Sequence, residues 1–242
     1  MQWNRYVDDD FVILSIDENQ GSTLLENLNP SKKIIFDRWG FLDRNLKKEC
    51  RIFCVPDKKT LKEFFFLNDA HVEIRDDVYV IWTFYDLAKI QSCLEEIVAY
   101  ELNSSFWFRR GASVLSESID DLKYKIISFQ KRIKQNELIY TTEEIFNFTE
   151  EKYYEISSGM QNLFDEQSLL LCLMLRKEFG EVKLHSLFKF NDKKTGIIKV
   201  YGFKNLEHFD KQYLHFSNDL SLDVIAGKTP DSYLKIAARK KL

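Results

Sequence analysis

The first 85 residues carry short apolar runs separated by polar breaks, and this pattern predicts strands joined by helices. β-Branched and aromatic residues predict strands at residues 11–16, 51–55, 71–74 and 78–82. The polar residues 75–77, between the last two runs, predict a hairpin. Helical spacing predicts one broken helix, or two, over residues 22–41 with the interruption at Pro30, and a short helix over residues 61–67.

After residue 85 the apolar positions keep helical spacing almost to the end of the chain. The predicted helices cover residues 87–102, 106–116, 119–133, 163–179, 182–188, 206–216 and 232–238. Gly180 is predicted to end the fourth of them. The sequence therefore predicts an α+β fold, in which a small N-terminal β-sheet with helices (residues 1–85) packs on a mainly α-helical part (residues 86–242) as one compact unit.

Composition and charge narrow the class of protein. A chain of 242 residues with 45% hydrophobic residues can bury a substantial core. The formal charge of −3 gives no reason to expect nucleic acid or an anionic membrane as partner, and the basic residues 235–241 are expected to be a solvated helix end. No apolar run approaches the ~20 residues that span a bilayer. The three aspartates at residues 8–10 do not suit a signal peptide, so we expect a soluble, cytoplasmic protein.

The spacing of the cysteines and histidines predicts neither a disulfide framework nor a metal centre. Cys50 and Cys54 lie four residues apart on one predicted strand, so their side chains share a face. A metal pair is the alternative, but zinc would need a second pair of Cys or His at matching distance, and no two histidines are four residues apart. Buried thiols in a reducing compartment are therefore expected. The chain also lacks a phosphate-binding loop, a dinucleotide fingerprint and a nucleophile elbow.

Two consecutive predicted helices carry the segment that is most informative about function. Residues 95–99 are Glu-Glu-Ile-Val-Ala, and residues 107–113 are Trp-Phe-Arg-Arg-Gly-Ala-Ser. Residues 169–188, and residues 201–206 followed by Phe209, complete the pattern. In this order the elements resemble the gluzincin-type metallopeptidases, in particular the peptidase-MA-like domains. In that family one helix bears His-Glu-x-x-His, and the next bears Trp-x-x-Glu-Gly-x-Ala, which supplies the third metal ligand.

The resemblance implies a zincin-like fold without the zinc ligands. Glu95 and Ala99 stand where the two histidines would be, and Arg110 stands where the third ligand would be. Zinc needs three protein donors, but an alanine offers none and an arginine is a permanent cation that repels a metal. Glu96 keeps the place of the general base, and Trp107 keeps the place of the family's tryptophan. These five residues form a predicted pseudo-active site that binds no metal and no cofactor.

A lost cation leaves a buried carboxylate that must be neutralised in another way. The Arg110 guanidinium is therefore expected to take roughly the place of the metal and to pair with Glu96, or with Glu95 if the frame is shifted by one residue. Arg109 would then point outward, since consecutive helical residues diverge by about 100°. This expectation rests on the resemblance.

The implied function is that of a catalytically inactive metallopeptidase-like protein, which acts as a protein-binding or regulatory module and has another protein as its partner. One alternative is a hydrolase that uses carboxylates near Glu95, Glu96 and Glu101 in a site of another kind. The other is a plain helical interaction protein unrelated to peptidases. In that case Glu95 and Glu96 form a solvated helix face, and Trp107 is a core anchor beside two surface arginines.

Overall fold

The apolar runs of the N-terminal region form a five-stranded mixed sheet in the computed structural model, which describes residues 2–39, 45–102, 105–190 and 192–221. The strands are β1 (Asn4–Val7), β2 (Phe11–Ser15), β3 (Glu49–Val55), β4 (His71–Ile74) and β5 (Val78–Phe84). Their order in the sheet is β1-β2-β3-β5-β4, with β2, β3 and β5 parallel and the two edge strands antiparallel to their neighbours. The predicted strands and hairpin are confirmed, while β1 was not predicted.

Several of the described helices begin and end close to the predicted limits. They are α1 (Glu18–Arg38), α2 (Lys58–Phe65), α3 (Leu87–Leu102), α4 (Phe106–Leu115), α5 (Ile119–Lys134), α6 (Thr142–Phe146), α7 (Glu150–Glu155), α8 (Ser158–Phe188), α9 (Lys193–Tyr201) and α10 (Leu206–Asp219). Among the described residues every strand precedes residue 85, so the predicted α+β fold class is confirmed. The short helices α6, α7 and α9 were not predicted. The predicted helix over residues 232–238 and the basic residues 235–241 lie outside the described residues.

Pro30 does not break α1, contrary to the prediction. The helix is continuous across it, with buried residues at Leu28 and Ile35 on either side. Next to the proline, the Ser31 hydroxyl donates to the carbonyl of Asn27 (2.7 Å), and the Gln91 amide donates to that hydroxyl (2.9 Å). Packing along the buried face therefore outweighs the cost of one missing backbone donor.

Gly180 interrupts α8 as predicted. Its φ of 77° and ψ of 167° lie outside the helical region, and φ falls where glycine is favoured because it has no Cβ. The helical segment predicted to end here begins at Ser158, five residues earlier than expected.

The chain folds as two compact units, Met1–Ser104 with Leu115–Glu117, and Ser105–Val114 with Ser118–Leu242. In unit 1, α1 and α3 contact each other, α1 contacts β1 and β2, and α3 contacts β4 and β5. The sheet face that includes Ile13, Ile52 and Ile81, which are fully buried and paired in register, forms the core of this unit. α3 begins after the predicted boundary at residue 85, yet it packs on the sheet and on α1 within unit 1.

All secondary-structure elements in the described residues of unit 2 are helices. α8 contacts α5, α9 and α10, and α10 also contacts α5, α6 and α9. The core residues of α8 include Leu169, Leu170, Cys172 and Leu175, all fully buried. No helix in the described part of the chain is long and apolar enough to cross a membrane.

Candidate functional site

The carboxylate of Glu95 occupies a closed polar site inside unit 1. Asp86 begins α3 by accepting hydrogen bonds from the backbone N–H groups of Ala88 and Lys89 (3.0 and 3.2 Å). Two turns further along, Glu95 has 0% of its surface exposed. A carboxylate in such a position is unstable unless its charge is neutralised and its oxygens accept hydrogen bonds.

Three donors meet those needs. Trp39 Nε1 donates to Oε1 of Glu95 at 2.7 Å, and Arg38 Nη1 donates to Oε2 at 2.7 Å. The Ser116 hydroxyl also donates to Oε2, at 2.5 Å, and accepts from Arg38 Nη1 at 3.0 Å. Both carboxylate oxygens are therefore used, and the charge is balanced by a guanidinium that is itself buried.

The donors come from two distant places in the sequence. Arg38 and Trp39 end α1, 57 and 56 residues before Glu95, and Ser116 follows α4. None of the three donors was predicted from the sequence. The available signal was a basic residue and a tryptophan at a helix end, but a cation there is ordinarily explained by the helix dipole.

The other two glutamates of α3 are not free at the surface either: Glu96 is buried, and Glu101 accepts hydrogen bonds. Glu96 is 9% exposed, so the alternative in which Glu95 and Glu96 form a solvated helix face is wrong. Ala99 is fully buried and brings only a methyl group. Glu101, named for the hydrolase alternative, accepts from the backbone N–H of Lys47 (2.6 Å) and from the Tyr79 hydroxyl (2.9 Å) through Oε1.

In unit 2, the Trp-Phe-Arg-Arg-Gly segment packs α4 closely against α8. Trp107 is fully buried, with its ring 5.3 Å from that of Phe146, as expected for a core anchor. A Cβ at Gly111 would lie 2.3 Å from the carbonyl oxygen of Ser168 and 2.6 Å from the Cys172 sulfur. The tryptophan and the glycine of the motif therefore have packing roles that need no catalytic explanation.

Both arginines of α4 form ion pairs within unit 2. Arg110 makes a two-bond pair with Asp165, Nε to Oδ1 at 3.0 Å and Nη2 to Oδ2 at 2.8 Å, and its guanidinium lies 5.1 Å from the Tyr153 ring centre. Arg109 pairs with Glu150 at 2.7 Å and is only 7% exposed, so the expectation that Arg109 points outward is wrong. The predicted pairing of Arg110 with Glu95 or Glu96, and with it the five-residue pseudo-active site, stays a prediction.

A turn of four buried polar residues in α8 was missed by sequence analysis. Asp165, Glu166, Gln167 and Ser168 follow one another in α8 between Leu163-Phe164 and the apolar residues 169–175, and each of the four is at most 5% exposed. Successive residues diverge by about 100°, so the four side chains leave the helix in different directions. A polar run between two apolar stretches of one predicted helix was the signal that could have revealed it.

Three side chains of this turn, those of Asp165, Glu166 and Gln167, bind different elements of unit 2. Asp165 pairs with Arg110 and accepts from the Tyr153 hydroxyl (3.0 Å), whereas Glu166 accepts from Arg132 Nε (3.2 Å). The Gln167 amide exchanges two hydrogen bonds of 2.9 Å with the backbone of Tyr140. Burial raises the pKa of Glu166, an effect that its bonds to Ser128 and Arg132 oppose.

In the part of the chain that the structure describes, potential metal donors are dispersed, and the cysteines are buried. Among the described residues no three Asp, Glu, His or Cys side chains gather closely enough to hold a metal ion. The four cysteines are buried thiols, as predicted. Burial raises the pKa of Cys54 to about 12 and also raises that of Cys50, which keeps both as thiols that are poor ligands.

No protein-family model matches this sequence, and no curated protein sequence matches it either.

Proposed function

We propose that the protein is a catalytically inactive, zincin-like relative of the metallopeptidases that works in the cytoplasm by binding another protein. The observation that carries the proposal is the state of Glu95. At the place where the resemblance puts the first zinc-binding histidine, the chain has a buried carboxylate whose two oxygens already accept three hydrogen bonds.

Each of the three ligand positions fails in a different chemical way. Glu95 could bind a cation only by giving up Arg38, Trp39 and Ser116. Ala99 has no donor atom. Arg110 is a cation in a two-bond pair with Asp165. Without a metal to polarise a carbonyl or to activate water, the carboxylate at position 96 lacks the partner that a peptidase of this type uses.

The order of elements supports the zincin-like part of the proposal. A mixed sheet with α1 and α3 in contact with it precedes α4, the helix that bears the Trp-x-x-x-Gly segment. α3, which stands at the place of the family's His-Glu-x-x-His helix, directly follows the β4–β5 hairpin, which is the order of elements that the resemblance describes.

Exposed aromatic side chains support the binding part. On α2, Phe64 is exposed, and Phe66, which follows the helix, is 87% exposed with a φ of 59°. A bulky residue in the left-handed region costs on the order of 1 kcal/mol, which is the kind of strain often kept at functional sites. Large exposed apolar groups are common at protein-binding surfaces.

The first test is the metal content of protein purified without chelators, together with its activity on an unfolded protein substrate. We expect less than about 0.1 zinc per chain and no peptide cleavage, since zinc needs three donors. Near-stoichiometric zinc, or cleavage that a chelator abolishes, would overturn the proposal.

The second test restores the missing ligands. A variant with Glu95→His, Ala99→His and Arg110→Glu, in a background with Arg38→Met to remove the buried cation, should bind one zinc ion per chain. Its matched control moves each ligand by one residue in the same background: the two histidines one residue later, with Glu96→His and Tyr100→His, and the glutamate one residue earlier, with Arg109→Glu. Equal zinc binding by the two variants, or no binding by the first, would contradict the resemblance.

The binding part is tested by placing a photo-crosslinking amino acid at Phe66 in living cells. The matched control places the same amino acid at Lys211, whose side chain is also largely exposed. A discrete protein adduct at position 66 but not at position 211 is expected. Equal labelling at both positions would show that the surface around Phe66 does not bind a specific protein.

A further inference from the structure

One line of side chains on α5 is open to solvent. The exposed residues of this helix are Asp120, Asp121, Tyr124, Ile127, Lys131 and Lys134. Tyr124 is 72% exposed and Ile127 is 50% exposed. The opposite side of the helix is buried through Leu122, Ile126 and Phe129 and is thereby already used inside unit 2.

The exposed residues, Asp121 apart, follow the spacing of a helix-pairing seam. Positions 120, 124, 127, 131 and 134 are separated by four, three, four and three residues. This is the heptad repeat of two helices that pack side by side along their whole length. We call these five residues the α5 stripe. They span about four turns and about 20 Å of helix.

Charge is distributed along the α5 stripe in a definite order. The acidic Asp120 lies at the N-terminal end, Tyr124 and Ile127 lie in the middle, and Lys131 and Lys134 lie at the C-terminal end. The end charges suit the dipole of the helix itself. That explains the ends but not two apolar side chains left in water between them.

We propose that a second copy of the chain covers the α5 stripe, with the two α5 helices antiparallel across a two-fold axis at Ile127. Asp120 of one copy then faces Lys134 of the other, and Ile127 faces its own counterpart. Tyr124 lies opposite Lys131, where an ammonium group can rest on the ring. Each contact is made twice, as a two-fold interface requires.

The order of charges along the α5 stripe favours a second copy of the chain over other partners. A parallel pair would place like charges together at both ends, which is unfavourable. An anionic membrane, a nucleic acid or a uniformly acidic peptide would meet lysines at one end and a repelling carboxylate at the other. Only a partner with the reverse order of charges fits the whole stripe, and an antiparallel copy has that order.

The interface is small, because one helix face of about four turns buries less area than a standard stable complex. A dimer that forms at high local concentration is therefore expected, with a dissociation constant between about 10 µM and about 500 µM. The inference is independent of the proposed function, since the α5 stripe includes none of the residues at the former metal-ligand positions.

The test measures self-association of the full chain by analytical ultracentrifugation over a range of concentrations. Ile127→Asp, which puts two carboxylates at the axis, should raise the dissociation constant at least about tenfold. Leu138→Ser removes an apolar side chain that is 86% exposed but lies off the stripe, so it should leave the constant unchanged.

A charge swap gives the decisive comparison. Asp120→Lys and Lys134→Asp should each weaken the dimer, because each places like charges opposite one another in both copies. The double variant restores opposite charges and should recover most of the affinity. Circular dichroism of each variant checks that α5 is still folded, since both substitutions oppose the helix dipole.

Three results would overturn the proposal. The first is a protein that stays monomeric at about 1 mM, a hundred times the lower bound expected for the dissociation constant. The second is a dimer that Leu138→Ser weakens as much as Ile127→Asp does. The third is a pair of single charge variants whose effects simply add in the double variant. Binding of the monomer to vesicles of anionic phospholipid that is lost with Lys134→Asp would also count against it, in favour of a membrane surface.

Discussion

Removing the Arg38 side chain tests the closed site around Glu95 most directly. Arg38→Met keeps much of the apolar stem but leaves a fully buried carboxylate without its cation. Loss of one partner of a buried ion pair costs about 3–5 kcal/mol. Trp39 and Ser116 still donate to the carboxylate, so we expect a loss of free energy of unfolding near the lower end of that range, about 3 kcal/mol.

The double variant Arg38→Met with Glu95→Met separates charge from packing. It removes both charges, and the main remaining cost is the indole N–H of Trp39 without an acceptor, about 1–3 kcal/mol. The double variant should therefore be no less stable than Arg38→Met alone, although it carries one more substitution. Urea unfolding, followed by tryptophan fluorescence and circular dichroism, gives the comparison.

The matched control is Arg51→Met. Arg51 also pairs with a glutamate at 2.7 Å, but both side chains are about half exposed. Such surface pairs contribute about 0–1 kcal/mol. Two results would show that Arg38 and Glu95 do not depend on each other as a buried pair. One is a loss of free energy of unfolding for Arg38→Met no larger than that for Arg51→Met. The other is a loss for the double variant equal to the sum of the losses for Arg38→Met and Glu95→Met.

Two further predictions concern unit 2. Gly111→Ala places a Cβ 2.3 Å from the backbone oxygen of Ser168 and should destabilise the protein by about 1–3 kcal/mol in thermal unfolding. The control is Gly159→Ala, whose Cβ has nothing within 4 Å, and it should be neutral or stabilise the protein by up to about 1 kcal/mol. Burial raises the pKa of Glu166 in the folded state. The protonated side chain therefore makes its full contribution to the free energy of unfolding in acid, and that contribution is lost as the pH rises above the ordinary glutamate pKa near 4.5. Glu166→Gln should therefore gain stability relative to the parent as the pH rises from about 4.5 to 7. Backbone and side-chain hydrogen bonds to Thr141 lower the pKa of Glu144, so its stabilising contribution is present above about pH 4.5 and is lost as the pH falls further. Glu144→Gln should therefore lose stability relative to the parent as the pH rises to about 4.5 and then stay level up to about pH 7. A gain for Glu144→Gln like that expected for Glu166→Gln would contradict the assignment.

The fold class was predictable because periodicity is a local property. Runs of five or six mainly apolar residues gave β2, β3 and β5, and helical spacing gave α3, α4, α5 and α10 close to their observed limits. β1 lacks such a run, since its sequence Asn-Arg-Tyr-Val has a half-buried, half-exposed pattern and pairs with one neighbour only. The continuity of α1 through Pro30 depended on tertiary packing, which a rule for isolated helices does not include.

The candidate site was predictable only in part, because its partners are distant in sequence. The burial of Trp107 and the importance of Gly111 follow from local spacing. The donors to Glu95 lie on another helix and after α4, and the partners of Arg109 and Arg110 lie 41 and 55 residues away. Whether a charged residue is solvated or buried and paired depends on these contacts, so Arg109 was expected at the surface and is buried.

The polar turn of α8 also bears on how unit 2 reaches its final structure. Apolar packing alone would allow several rotations of α8 about its axis, because the apolar residues 169–175 lie on all sides of the helix. A rotation by one residue would carry the Asp165 carboxylate away from Arg110 and would leave Gln167 without the Tyr140 backbone, each at the cost of an unsatisfied buried group. The hydrogen bonds of the polar turn therefore disfavour wrong rotations of α8 that apolar packing alone would allow. We expect its bonds to form late in folding, so substitutions there should accelerate unfolding more than they slow folding.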